Sequence, residues 1–298
     1  MRAVVAAMLE RITGQIVLLW MQLSARLPQP LAQTLSRPGG AVLQAVMRRR
    51  AAVVTANLRH CFPHWSASEV AQWRRRMFRA LAYSFYEIAL SWCRRDSTTL
   101  PACQINGLQH VHQAQADQRG ILLVCGHYTT MEITGRLIAE QVPLHAVYRP
   151  LRNRVLERFQ NRGRGRYTKG LISKREPGRI LRELKRGGVV WMAPDQDFGP
   201  ARSQFVDFFG RPTATLSAVW RLAQASNAVV LTMQPQRLGD GCYRIDIEPP
   251  LPAGDAASML QNMNQRLEAQ VRRQPDQYWW LHRRFKTRPQ GVTDLYSS

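Results

Sequence analysis

The sequence predicts an α/β protein: a mostly parallel central sheet flanked by helices, with an N-terminal helical, membrane-associated segment. Three observations predict it. From residue 120 onward, short apolar runs alternate with helical stretches, as expected for strand–helix–strand units of a parallel sheet. Between residues 41 and 95 the apolar spacing is helical. In the first 27 residues, Val5, Met8, Leu9, Ile12, Ile16, Leu19, Trp20 and Leu23 also recur at helical spacing.

The longest uncharged stretch at the N-terminus, Ile12–Ala25, has 14 residues. That is short of the ~20 apolar residues a spanning helix needs. Glu10 and Arg11 interrupt any signal-peptide core, and no small-residue cleavage site follows. Two readings compete: an amphipathic helix lying on a membrane surface, and an ordinary helix packed on the domain. The basic charge favours the first. Pro28 and Pro30 end the helix either way. The expected division is a membrane-associating helix over 1–27 and a single α/β domain over 28–298, with a helical part at 41–95 and an α/β body at 105–298.

Residues 41–60 read as a basic helix. Ser66-Ala-Ser-Glu69 is a capping box, with Trp65 and Val70 placed as a hydrophobic staple. The helix that follows carries Val70, Trp73, Met77, Leu81 and Phe85, a stripe that predicts core. Strands are expected at Ile121–Cys125, Leu144–Tyr148, Val189–Ala193, Val229–Met233 and Tyr243–Glu248. Helices are expected near 129–140, 153–162, 177–187, 214–226 and 256–273. Phe205-Val-Asp-Phe-Phe-Gly210 predicts core packing, and Thr213 or Thr215 is placed to cap the next helix.

Charge bounds the partners. The 298 residues hold 42 Lys+Arg against 20 Asp+Glu, a formal net charge of +22. Lys occurs only at 169, 174, 185 and 286, so 38 of the cations are Arg, which grips phosphate and carboxylate bidentately. An Arg-rich codon bias explains part of this. Its distribution points further: Arg149–Arg186 holds 14 basic and 3 acidic residues, half the net charge. That concentration implies an anionic partner: nucleic acid, membrane headgroups or a phosphorylated substrate. His282-Arg-Arg-Phe-Lys-Thr-Arg288 reads as a nucleic-acid or headgroup patch or a solvated tail, although the preceding Tyr278-Trp279-Trp280-Leu281 argues that it is packed or membrane-adjacent. No zinc-finger spacing, RNA-recognition signature or basic zipper is present, which argues against a nucleic-acid-binding module. The five cysteines (Cys61, Cys93, Cys103, Cys125, Cys242) include no CxxC pair, so free thiols are expected rather than a metal ribbon or a disulfide framework.

In open α/β sheets, ligands bind beyond the carboxyl ends of the strands. Three such ends carry reactive side chains: His127, Arg149, and the run Pro194-Asp195-Gln196-Asp197. If their strands are parallel neighbours, an imidazole, a guanidinium and a carboxylate converge on one rim. Imidazole near its reference pKa of ~6.5 accepts a proton at neutral pH, and works better with a carboxylate holding its tautomer. Glu132 lies five residues after His127, but Thr129-x-x-Glu132 also fits a capping box, which would make Glu132 a helix-start residue. No HExxH, no GxSxG elbow and no P-loop accompanies them, so no metal ligand set, nucleophilic Ser or nucleotide motif is predicted.

Together, Gly126-His-Tyr-Thr-Thr-Met-Glu-Ile-Thr, Tyr148-Arg-Pro-Leu-Arg-Asn, Val190-Trp-Met-Ala-Pro-Asp-Gln-Asp-Phe-Gly-Pro and Tyr278-Trp-Trp-Leu-His-Arg-Arg-Phe-Lys-Thr-Arg-Pro289 resemble the late acyltransferases of lipid A biosynthesis. The resemblance covers Asn57 to the C-terminus. It implies His127 and Glu132 as the catalytic pair, and it aligns Arg149, Arg152, Asp195 and Gln196 with substrate-binding segments. It implies transfer of a fatty acyl chain, roughly C10–C14 with its length set by an apolar pocket, from an acyl carrier protein thioester. The acceptor it implies is a hydroxyl on an acyl chain of a Kdo-bearing lipid A precursor, at the cytoplasmic face of a Gram-negative inner membrane. Partners are then the acyl carrier protein, the anionic acceptor and the membrane surface, with no nucleic acid and no cofactor beyond the carrier thioester as co-substrate. A glycerolipid acyltransferase of the lysophosphatidate type shares the His-x4-acid logic, but would carry a Pro-Glu-Gly-Thr-like motif where this chain has Pro194-Asp-Gln-Asp. An inactive membrane scaffold is the remaining alternative, and the intact His127/Glu132 pair speaks against it.

Overall fold

Prolines and cap chemistry divide the N-terminal third into four helices: α1 (Arg2–Ser24), α2 (Gln29–Val46), α3 (Arg48–Cys61) and α4 (Ala67–Cys93). The computed structural model describes residues 2–296, with side chains from residue 11 onward. Val5, Met8 and Leu9 of the expected apolar stripe lie outside the described side chains. Pro28 caps α2, with Pro30 in its first turn. The predicted capping box is made: the Ser66 hydroxyl accepts from Glu69 N–H, and the Glu69 carboxylate accepts from Ser66 N–H.

α1 packs on the domain and also keeps an exposed apolar face. One face packs on α4, where Met21 and Ala25 are buried with Ala89 and Trp92. The other leaves Ile12, Ile16, Leu19 and Leu23 exposed, with Trp20 edge-on to Phe85 at 5.9 Å. Phe85 therefore faces outward, not into the core as its spacing predicted. Leu31, Leu35, Val42 and Val46 of α2 add to this exposed apolar surface. Among the described residues no helix is long and apolar enough to cross a membrane.

The rest of the chain follows as β1 (Cys103–Asn106), α5 (Leu108–Ala116), β2 (Ile121–Val124), α6 (Met131–Ala139), β3 (Leu144–Tyr148), α7 (Arg154–Arg164), β4 (Gly170–Ser173), α8 (Pro177–Lys185), β5 (Val189–Met192), β6 (Ser203–Phe208), β7 (Arg211–Leu216), α9 (Ala218–Ser226), β8 (Val229–Arg237), β9 (Tyr243–Ile247) and α10 (Ala256–Arg273). Seven strands form one sheet in the order β1-β9-β8-β2-β5-β3-β4. β8, β2, β5, β3 and β4 run parallel, while β9 is antiparallel to β8 and β1 follows β9. The expected mostly parallel sheet is the one observed.

β2 is buried on both faces, as its continuous apolar run requires. With side chains alternating, Ile121 and Leu123 meet Ile133 and Ile138 of α6 on one face, and Leu122 and Val124 meet Ile180 of α8 and Leu260 of α10 on the other. Each such side chain contributes about 1.5–3 kcal/mol of transfer free energy.

β6 and β7 form a two-stranded hairpin that the periodicity did not predict. Phe209 and Gly210 both take positive φ (57° and 66°), the geometry a two-residue hairpin turn requires. Phe205 points outward while Val206 and Phe208 are buried, so the aromatic run alternates across a hairpin and is core only in part. Thr213 and Thr215 lie within β7 and cap nothing; α9 starts at Ala218, four residues later than expected. β1, α5 and β4 were likewise unforeseen.

One buried ion pair ties the helical part to the sheet. Glu87 of α4, fully buried, accepts from Arg237 of β8 through Nε at 2.8 Å and Nη2 at 2.6 Å, and from the Tyr243 hydroxyl of β9. Removing one partner leaves an uncompensated buried charge. Glu87→Ala is expected to lose about 3–5 kcal/mol of stability in urea unfolding. A loss near 1 kcal/mol would mean the pair is dispensable.

Candidate active site

The parallel register brings the reactive strand ends together. β2 lies beside β5, and β5 beside β3, so the turns after Val124, Met192 and Tyr148 open on one rim. The turn after β2 is tight. A Cβ on Gly126 would lie 2.5 Å from Leu267 Cδ1 and 3.0 Å from Tyr128 Cε2, so the turn that presents His127 packs closely against both side chains.

His127 is held by Asp195, not by Glu132. One Asp195 oxygen bonds His127 Nδ1, and the other accepts the His127 backbone N–H at 2.8 Å. The Asp195 side chain is 4% exposed and the imidazole 28%. Burial alone would raise the Asp195 carboxyl, but the charge and hydrogen bonds of His127 outweigh it and hold the carboxyl down at about 2. An ionised carboxylate only accepts hydrogen bonds. In the neutral ring Nδ1 therefore carries the proton and Nε2 keeps its lone pair. Asp195, expected from the sequence as a substrate contact, thus lies behind His127 and does not line the large cavity described below.

Glu132 has a different partner. Its carboxylate accepts from Trp92 Nε1 at 2.8 Å and from Arg164 through Nε at 3.1 Å and Nη2. Neither the orienting role toward His127 nor the capping-box reading survives: Thr130 occupies the N-cap of α6 with no side-chain cap bond. Arg164, the last residue of α7, was not singled out in the sequence. It reaches Glu132 because α7 approaches α4 at a glycine; a Cβ on Gly163 would lie 2.8 Å from Trp92 Cβ. The buried glycine just before an arginine was the available signal.

The C-terminal segment clamps both loops. Trp279 N–H donates to His127 O at 2.9 Å, and Thr129 N–H donates to Gln277 O at 2.8 Å. Asp197 N–H donates to His282 Nε2 at 2.9 Å, and the Asp197 carboxylate accepts from Thr287 N–H (2.6 Å), Thr287 Oγ1 (2.9 Å) and Gly199 N–H (2.8 Å). Burial lowers the His282 pKa, which suits an imidazole that must accept a hydrogen bond. Arg284 and Phe285 are each 2% exposed, so of the readings of this motif the packed one holds: it is a structural strap, not a solvated tail.

A cavity of about 1130 Å³ opens beside His127. Val147, Ile180, Leu181, Trp191, Met192 and Leu222 give it an apolar wall. Arg149, Arg164, Lys174, Arg175, Arg202 and Arg221 also line it, and among the described residues no Asp or Glu does. Of the expected substrate contacts, Arg149 and Gln196 line the cavity, whereas Arg152 is exposed in the β3–α7 turn and does not. Cys125, two residues before His127, is no nucleophile: burial pushes its thiol far up, against a lesser opposing effect of the Trp191 indole N–H.

Residues 5–287 match the family model described as bacterial lipid A biosynthesis acyltransferase. The chain is 36% identical over 286 residues to the lipid A biosynthesis lauroyltransferase of Escherichia coli K12, covering 94% of this chain and 93% of that one. It is 35% identical over 285 residues to the lipid A biosynthesis palmitoleoyltransferase of the same organism, covering 94% and 92%. A solved structure, the 1-acyl-sn-glycerophosphate acyltransferase of Thermotoga maritima, aligns with a TM-score of 0.39 at 11% identity, over 83% of this chain and 97% of that one.

The Asp195–His127 contact has a pH signature. A carboxyl depressed to about 2 in the fold stabilises it above its unfolded value of ~3.9, and that stability fades as pH falls toward 2. Asp195→Asn is expected to lose about 2 kcal/mol at pH 7 and progressively less below pH 4. Urea unfolding at pH 7 and pH 3 measures this; equal losses at both would refute an ionised, His-held Asp195.

Proposed function

The chain belongs to the bacterial lipid A biosynthesis acyltransferase family, an O-acyltransferase family, and from that premise we propose the reaction. A fatty acyl chain of roughly C10–C14 moves from an acyl carrier protein thioester to a hydroxyl on an acyl chain of a Kdo-bearing lipid A precursor, with His127 as general base. The observation that carries this reading is the Asp195 carboxylate on His127 Nδ1, which leaves Nε2 of the neutral ring as a base beside a large cavity with an apolar wall. About 1130 Å³ is just above the ~300–1,000 Å³ typical of ligand pockets. That volume accommodates a donor chain together with part of the acceptor.

In the proposed step, Nε2 removes the proton of the acceptor hydroxyl, and the oxygen attacks the thioester carbonyl carbon. Asp195 stabilises the imidazolium that forms. The tetrahedral oxyanion needs a donor aimed at it. Arg164 is suited to this: Glu132 holds it through Nε and Nη2, and its guanidinium lines the cavity with His127. Glu132 then acts by fixing a cation rather than by orienting the base. The C–S bond breaks, and the departing thiolate takes the proton back from His127. No acyl-enzyme is formed and no cofactor is used.

The exposed apolar face of α1 and α2 supports attachment to the cytoplasmic face of the inner membrane by helices lying in the interface. The basic charge of the Arg149–Arg186 segment supports the acidic carrier protein and the anionic acceptor as partners.

Purified protein in detergent, offered acyl–acyl carrier protein and the precursor, is expected to add one acyl group by mass spectrometry. His127→Ala abolishes this. Asp195→Asn lowers turnover by about 10³–10⁴-fold, as in other His–Asp systems where the tautomer is lost. Near-normal turnover by His127→Ala would sink the assignment. A second expectation concerns attachment: Leu19→Glu with Leu23→Glu reduces sedimentation with anionic vesicles while the detergent assay is unchanged. Undiminished vesicle binding would remove the helix face from that role.

A further inference from the structure

Parallel pairing of β3 with β4 places Tyr148 opposite Ser173, and Lys174 N–H donates to Tyr148 O at 2.9 Å. The next residues of the two strands, Arg149 and Lys174, therefore leave neighbouring strand ends side by side. Arg175 follows Lys174, and Arg202 arrives from the short 3-10 turn Pro200–Arg202. All four line the cavity.

Nothing acidic compensates them. Among the described residues none of the four has a carboxylate within ion-pair distance, whereas the less exposed Arg164 and Arg237 each have one. The nearby acids are turned to other donors. Glu157 accepts Leu151 N–H at 2.6 Å and the Tyr148 hydroxyl at 3.1 Å, and Glu176 accepts Ser173 N–H at 3.0 Å. The mutual repulsion is visible at Lys174, whose ammonium pKa is lowered by partial burial and then by Arg149, Arg175 and Arg202. The Phe198 ring, 6.0 Å from Lys174 Nζ, covers one side of the group. Like charges gathered without counter-charge destabilise the free protein, and an anion relieves them.

We propose that Arg149, Lys174, Arg175 and Arg202 form a phosphate-binding site at the cavity wall, taking a phosphate ester of a molecule whose acyl chain occupies the apolar part. Three guanidinium forks and one ammonium suit a tetrahedral anion. The inference rests on the acyl-transfer reading for the identity of that molecule. Two sources share the chemistry: the phosphopantetheine of the donor and a sugar phosphate of the acceptor. The binding of phosphate itself is independent of that reading.

The full chain in detergent is titrated calorimetrically with inorganic pyrophosphate. Lys174→Gln with Arg202→Gln is expected to weaken binding about 10–100-fold, the loss of two charge-assisted contacts. Lys174→Arg with Arg202→Lys restores most of it, and Arg186→Gln, on the exposed end of α8, leaves it unchanged. Equal affinity in wild type and the Gln pair overturns the site, whether or not acyl transfer is detected; absent transfer with intact pyrophosphate binding overturns the reaction and leaves the site. With transfer established, KM separates the sources. A rise of about tenfold in the Gln pair for acyl-phosphopantetheine but not for acyl-pantetheine assigns the donor. A rise for the phosphorylated acceptor but not its dephosphorylated form assigns the acceptor. Unmoved KM values for all four overturn the proposal.

Discussion

Val124 and Met192 are opposite one another in adjacent parallel strands, and the chemistry at the rim depends on that register. Two residues beyond β2 the chain reaches Gly126 and turns to present His127; three residues beyond β5 it presents Asp195. A slip of one residue would reverse which side chains face the two helical layers and separate the imidazole from its carboxylate. The register is secured by β2 itself, whose four residues are at most 2% exposed and divide between two apolar clusters. Hydrophobic burial thus sets the geometry of a polar contact that carries no apolar character of its own.

Much of this was legible from periodicity. The five expected strands all lie in the sheet, α10 spans the residues predicted for it, and the three reactive strand ends do share a rim. What escaped has physical causes. β1 and β4 have four residues each, with mixed burial, too short for an alternating pattern to stand out. The β6–β7 hairpin turns on Phe209-Gly210, where a phenylalanine takes the positive φ more common for Asn or Gly. At the site, sequence proximity favoured Glu132 as the partner of His127. The helix that begins between them points Glu132 toward Trp92 and Arg164, while a residue 68 positions away supplies the carboxylate. The sequence alone could place Asp195 on the same rim but could not say which of two carboxylates touches the ring.

Charge is used in two ways here. Where cations are buried in the framework they are matched: Arg237 with Glu87, Arg164 with Glu132, and Arg136 with the carbonyls that end α4 and with Glu140. Arg149, Lys174, Arg175 and Arg202, by contrast, line the cavity with no carboxylate within ion-pair distance among the described residues. The framework pairs satisfy the cost of burying a charge, and the unmatched group at the cavity remains available to an anion. The net charge of +22 is therefore less informative than the presence or absence of a carboxylate beside each guanidinium.

The strap formed by Gln277–Thr287 holds both the His127 turn and the Asp195–Asp197 turn, yet it follows every strand and helix of the sheet in the chain. Synthesis proceeds from the N-terminus, so the helices that present an apolar face emerge first and the strap last. A nascent chain exposes those faces while its imidazole and carboxylate turns are still untethered. Assembly of the rim is thus ordered in time after exposure of the apolar helix faces, and an incompletely translated chain presents those faces before the His127 and Asp195 turns are tethered.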